Sequence, residues 1–220
     1  MRFHFMLILS LLNGNVAYAL IFITALLISL TIHEFAHALV ATKLGDPTAK
    51  FEGRLTLNPI AHLDPVGTIL LLLVGFGWGK PVPINPRYFK QNSDEVKVAL
   101  AGIVSNLILA IILSIPLRAL LASETGADSS LLVVFLSLTV LMNIVLAVFN
   151  ILPIPPLDGS HVVEYFLSDE VKYQYQLAGP YLLIGFIALN YLGNTSIITS
   201  LVESAVRLIA GSQIANLFFH

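Results

Sequence analysis

Residues 16–44 read VAYALIFITALLISLTIHEFAHALVATKL, an unbroken apolar run that carries His33-Glu34-Phe35-Ala36-His37 in its final third. At about 20 residues per crossing, the run is long enough to span a bilayer as a helix. Gly45-Asp46-Pro47 then ends it with a C-terminal glycine and a helix breaker. On that helix His33 and His37 are one turn apart and share a face. Two imidazoles at this spacing can hold one Zn²⁺, and the Glu between them can serve as a general base. The bland alternative is a structural His–Glu network between helices. Each ionisable group inside an apolar span costs about 2.5–3.5 kcal/mol, and that cost argues against a network without a role. Ser29 stands one turn before His33 on the same face, and Ala36, Ala38 and Ala41 are small enough to admit a close neighbour helix.

The remainder of the chain has the same character. Of 220 residues, 57% are hydrophobic and 11% charged, with a mean hydropathy of +0.88. Soluble domains carry about 25% charged residues, so the composition is that of a polytopic membrane protein. The formal charge is −2 and no basic or acidic tract occurs, which leaves no footprint for a nucleic acid. Cysteine is absent, so disulfides, thiolate metal sites and thiol nucleophiles are excluded together. Any metal must be held by His, Asp or Glu. Residues 3–12, behind Arg2 and before Ala17-Tyr18-Ala19, look like part of a cleavable signal. The apolar sequence nevertheless runs on through Ala25 and Leu30, so the segment is expected to be retained, with a turn at Asn13-Gly14-Asn15.

Beyond residue 44 the pattern predicts a mainly α-helical membrane bundle of about five or six spans. Phe51, Gly53, Leu55 and Leu57 alternate with polar residues, the period of a small β-strand region at the membrane surface. Residues 66–74 are too short to cross and end in glycines, which predicts a re-entrant segment sheltered by protein. Pro81, Pro83 and Pro86 keep the next stretch extended. Residues 94–121 form a second span behind a capped acidic start. It carries a small, polar stripe of Ala101-Gly102 and Ser105-Asn106, and Asn106 must find a partner inside the bundle. Residues 131–152 form a third, with Asn143 and Asn150, and stop at Pro153-Ile154-Pro155-Pro156-Leu157-Asp158-Gly159. Residues 177–192 read as a further span. Residues 197–210, with Glu203 and Arg207 at helical spacing, read as a tilted span or a surface-lying helix.

A catalytic zinc site needs a third protein ligand and one open position. The candidate donors at suitable depth are His62, Asp64, Asp158 and His161. Asp158 is best placed, because a helix broken by prolines ends at membrane depth and can turn a carboxylate back toward the bundle. Taken alone, an Asp before Gly is more often a turn residue. Opposite His33 and His37, the ligand reading is stronger.

His33-Glu34-Phe35-Ala36-His37, taken with Asn150-Ile151-Leu152-Pro153-Ile154-Pro155-Pro156-Leu157-Asp158-Gly159, resembles the site-2 protease family of intramembrane zinc metalloproteases. Ala101-Gly102-Ile103-Val104-Ser105-Asn106 resembles the family's middle motif, with Ile103 where a proline is usual. The resemblance covers residues 16–167 and is closest to a compact prokaryotic branch without a PDZ domain. It implies one Zn²⁺ per chain held by His33, His37 and Asp158, with Glu34 as the base. It also implies that Asn150 orients the substrate backbone or the developing oxyanion. The expectation is therefore one integral-membrane domain over residues 1–220, with C-terminal helices at about 176–211. It would act on transmembrane proteins or peptides in a prokaryotic cell membrane, its site toward the cytoplasm. The competing reading is a metal-ion transporter using the same His, His and Asp as a transit site.

Overall fold

The computed structural model describes residues 16–74, 77–122, 130–192 and 197–219. The apolar run at 3–12, the turn at 13–15 and most of the acidic loop at 124–130 lie outside the described residues. In chain order the helices are α1 (Val16–Lys43), α2 (Thr48–Phe51), α3 (Pro65–Val74), α4 (Ser93–Ala122), α5 (Leu131–Asn150), α6 (Ser160–Glu164), α7 (Asp169–Leu192), α8 (Ile197–Ile209) and α9 (Ser212–Phe219). Three of them, α1, α4 and α5, are long and apolar enough to cross a membrane. Their bounds fall within two residues of those expected from the hydrophobic runs and the flanking Gly, Pro and Ser signals.

These three helices pack on one another and form the centre of the fold. Small residues make the contact possible: Ala25, Ala38 and Ala41 of α1 and Ala110 of α4 are completely buried, and Gly102 is buried with them. With no hydrophobic drive between helices in lipid, such close backbone approach and internal polar contacts supply the association. A second layer comes from α8 and α9, which turn at Gly211 (φ +95°). Their Val202, Val206, Ile214 and Ala215 pack against Leu117, Leu121, Leu141 and Ile144. Arg118 of α4 donates through Nε to the carbonyl of Ala210 at 2.7 Å and so caps α8. At 13 residues α8 is about 20 Å long, too short for a hydrocarbon core of about 30 Å.

The expected strand at residues 51–57 is absent, and among the described residues there is no sheet, only an isolated bridge between Leu63 and Gly79. Residues 48–51 wind into α2, Gly53 adopts φ +69°, and the chain then bends. The alternation misled because its inward residue is the charged one: Arg54 is 3% exposed, whereas Phe51 is 81% exposed. Arg54 donates to the carbonyls of Lys80 (2.6 Å) and Pro81 (2.8 Å). Burial pulls its guanidinium below the usual range, while the charges of Glu34 and Glu52 act the other way. Period two gives a strand only when a neighbouring strand takes the backbone hydrogen bonds, and here a side chain takes that role.

Buried polar groups thus stitch the extended residues 79–85 to the foot of α1. Asp46, fully buried, accepts from the backbone N–H of Asn85 (2.7 Å) and of Thr48 (3.0 Å). Lys80 N–H donates to the carbonyl of His62 at 2.8 Å. Between those tied points the chain makes the α3 excursion, capped by Asp64, whose Oδ1 accepts from Gly67 N–H at 2.8 Å.

Candidate active site

The site lies where α1, α4 and the end of α5 meet. His33 is ten residues before the end of α1, or about 15 Å up the helix. After α5 ends at Asn150, residues 151–159 fold back under it. Gly159 N–H donates to the carbonyl of Asn150 at 2.7 Å, and Leu157 N–H to that of Ile154 at 2.9 Å. A side chain at Gly159 would put its Cβ 2.6 Å from the Leu152 carbonyl oxygen. The φ of −59° is one that any residue adopts, so Gly159 is required for space and not for backbone freedom. On the far side, Tyr175 of α7 donates to the Pro153 carbonyl at 2.7 Å, and Pro155 sits against Gly179.

This folding back brings Asp158 to the two histidines. Asp158 Oδ2 is 3.0 Å from His33 Nε2 and 3.3 Å from His37 Nε2, and the two Nε2 atoms are 3.0 Å apart. The imidazoles stand edge to face, 85° apart. Both rings have their other nitrogen committed. His37 Nδ1–H donates to the carbonyl of Val98 at 2.7 Å, and His33 Nδ1 faces Asn106 Oδ1 at 2.6 Å. Neutral imidazole carries one N–H, so each Nε2 presents a lone pair to the centre. Asp158 Oδ2 is buried and has no hydrogen-bond partner. With both rings neutral, three acceptors face one another, an arrangement that a bound cation relieves.

The donor set fits zinc: two imidazoles and one carboxylate, with no thiolate. An ion about 2.0–2.1 Å from each tetrahedral ligand needs donors about 3.3–3.4 Å apart, close to the triangle observed. Among the described residues no other group of His, Asp and Glu has donors so arranged. The remaining sequence candidates are not part of this group. His62 is fully buried and hydrogen-bonds the Thr56 carbonyl at 2.8 Å, Asp64 caps α3, and His161 Nδ1, without a hydrogen bond, lies 3.5 Å from Glu164.

Glu34 follows His33 on α1, is largely buried, and makes no hydrogen bond or ion pair with any described residue. Asn150 donates one Nδ2–H to the Leu146 carbonyl of its own helix at 3.0 Å. Gly102 of α4 packs flush on the histidine pair, and a Cβ there would lie 2.6 Å from His33 Cε1 and 2.7 Å from His37 Cε1. Its part in the site was not evident beforehand. The signals were its place in the small-residue stripe and in the stretch resembling the family's middle motif.

The sequence pattern of peptidase family M50 matches residues 117–189, which include the third helix of the bundle and the Asp158 turn. YwhC of Bacillus subtilis, provisionally named a zinc metalloprotease, is 47% identical over 176 residues, covering 76% of this chain and 78% of its own. Rip2 of Mycobacterium tuberculosis H37Rv, named in the same provisional way, is 35% identical over 185 residues, covering 78% and 70%. The zinc metalloprotease MJ0392 of Methanocaldococcus jannaschii is 27% identical over 165 residues, covering 75% of this chain and 39% of its own. No solved structure matches significantly. With His33, His37 and Asp158 gathered at one point and a relative this similar over most of both chains, the chain belongs to peptidase family M50, the site-2 protease family of zinc metalloproteases.

Proposed function

We propose that this metalloprotease hydrolyses peptide bonds within or beside the transmembrane segments of membrane proteins. The observation that carries the reading is the orphaned Asp158 Oδ2 facing two imidazole lone pairs beside a span. In this reading His33, His37 and Asp158 hold one Zn²⁺. When bound, the metal supplies Lewis acidity that polarises a carbonyl and lowers the pKa of water toward about 7. Glu34, which makes no hydrogen bond or ion pair with any described residue, takes the proton from the attacking water and returns it to the departing amine. Asn150 keeps its second Nδ2–H for a substrate carbonyl, which favours a role in orienting the substrate or its oxyanion. A helical substrate hides its carbonyls in its own hydrogen bonds, so it must unwind locally at the site.

The membrane arrangement follows the same line. Besides α1, α4 and α5, the apolar end of α7, residues 177–192, forms the further span that the sequence suggested, with the charged start at Asp169, Glu170 and Lys172 outside the bilayer. The ten-residue α3 covers about half a bilayer and leaves close to where it began, as the Leu63–Gly79 bridge and the Lys80–His62 hydrogen bond support. It is the re-entrant segment. The positive-inside bias of Lys43, Lys50, Arg54, Lys80, Arg87, Lys90 and Lys97 favours residues 43–97 in the cytoplasm of a prokaryotic cell and residues 122–130 outside. The site then faces the cytoplasmic half of the cell membrane. A transporter would need further ionisable positions along a path, and among the described residues no second cluster exists.

The test uses purified enzyme and a transmembrane peptide. Phenanthroline should abolish cleavage and Zn²⁺ restore it, while Glu34→Gln keeps the metal without cleaving. Normal turnover by Glu34→Gln would exclude the hydrolytic mechanism.

A further inference from the structure

His33 and His37 differ in one respect that bears on metal binding. The Nδ1 partner of His37 is the backbone carbonyl of Val98, which can only accept. The partner of His33 is the side-chain amide of Asn106, which could present either its oxygen or its NH₂. If NH₂ faced His33, the ring would carry its proton on Nε2, aimed at the position where the metal must sit. The orientation of one amide therefore decides whether His33 is a ligand.

We propose that Asn143, on the third helix of the bundle, is a positioning residue that holds this amide in its ligand-competent orientation. The proposal rests on the zinc site described above. Asn106 Nδ2 donates to two acceptors, the Ser29 carbonyl at 3.0 Å and Asn143 Oδ1 at 2.7 Å. Asn143 is itself oriented, because its Nδ2 donates to the Thr139 carbonyl and to Ser29 Oγ, each at 2.8 Å. Ser29 Oγ in turn donates to the Ala25 carbonyl at 2.8 Å. Ser29, Asn106 and Asn143 are fully buried, and every N–H of the two amides is used. Each direction is set by a backbone carbonyl, which cannot reverse its role. Turning Asn106 over would set its oxygen against two other oxygens and leave Asn143 Oδ1 without a donor. The chain of bonds crosses α1, α4 and α5, so the packing of three spans fixes which nitrogen of His33 faces the metal. Outer partners of metal-bound histidines are known to set tautomer and ligand basicity.

A double substitution separates this role from simple packing. In Asn106→Asp both carboxyl oxygens accept, so there is no orientation left for Asn143 to hold. Zinc affinity is measured by competition with a chromogenic chelator on detergent-solubilised protein. Asn143→Leu should weaken zinc binding about tenfold when Asn106 is present, the lower end for outer-shell partners. In the Asn106→Asp background, where the second carboxyl oxygen meets Asn143 Oδ1, the same substitution should not weaken zinc binding. An equal loss in both backgrounds, or no loss in either, overturns the proposal. A second measurement needs no variant: imidazole ¹⁵N shifts of the metal-free wild-type protein should show His33 protonated on Nδ1. Protonation on Nε2 would overturn the proposal even if Asn143→Leu failed to fold. Failure of the wild-type protein to bind zinc at all would instead refute the metal site.

Discussion

Gly102→Ala isolates how tightly the fold frames the histidines. A Cβ at residue 102 would lie 2.6 Å from His33 Cε1 and 2.7 Å from His37 Cε1, and closer still to His37 Nε2, where ordinary contact begins near 3.4 Å. Relief requires a shift of about 0.8 Å, while ligand atoms must sit within about 0.2 Å of their metal distances. Two effects on stability oppose each other. Alanine is a better helix former than glycine by about 1 kcal/mol, and overpacking costs about 1–3 kcal/mol. The metal-free protein avoids most of the clash by swinging the imidazoles away, so it should melt within a few degrees of wild type. Zinc binding must pull the rings back against the new methyl and pay that cost again. A penalty of 1–3 kcal/mol corresponds to roughly 5- to 150-fold weaker binding. Chelator competition for zinc and thermal unfolding of the metal-free protein, run side by side, give both numbers. Wild-type zinc affinity with wild-type cleavage in Gly102→Ala would refute the packing argument.

Asp158→Asn keeps the shape but removes the charge, so zinc content and cleavage should both collapse. Asp64→Asn should retain both, because asparagine caps a helix nearly as well; the reverse pattern, by metal analysis and peptide cleavage, would mean that the wrong aspartate has been assigned. Arg54→Leu strands the Lys80 and Pro81 carbonyls and should cost about 2–4 kcal/mol of stability in denaturant unfolding. Unchanged stability would show that residues 79–85 are held in place without it. A reporter inserted after Gly126 should read as extracytoplasmic, and a cytoplasmic reading would invert the proposed topology.

Much of this architecture was legible in the chain itself. Long apolar runs with Gly, Pro and Ser at their ends located α1, α4 and α5, because a bilayer demands length and apolarity that no other context imposes. The His33-x-x-x-His37 spacing put both imidazoles on one helix face for a purely local reason, 3.6 residues per turn. The proline-broken end of α5 marked Asp158 as the best-placed candidate for a third donor, and the structure sets it beside both histidines. Residues 51–57 were misread because alternation describes side-chain chemistry, whereas a strand needs a partner, and Arg54 turned inward to serve as one instead.

Only the tertiary structure decided what depends on groups far apart in sequence. It brought Asp158 within 3.3 Å of residues some 120 positions earlier, and showed that Gly102 supplies the clearance for both rings. It also oriented the Asn106 and Asn143 amides through backbone carbonyls on α1 and α5. Such orientations have no sequence signature, since an asparagine side chain reads the same whichever way its amide points. Sequence named the atoms able to bind a metal; packing determined which of their lone pairs face it.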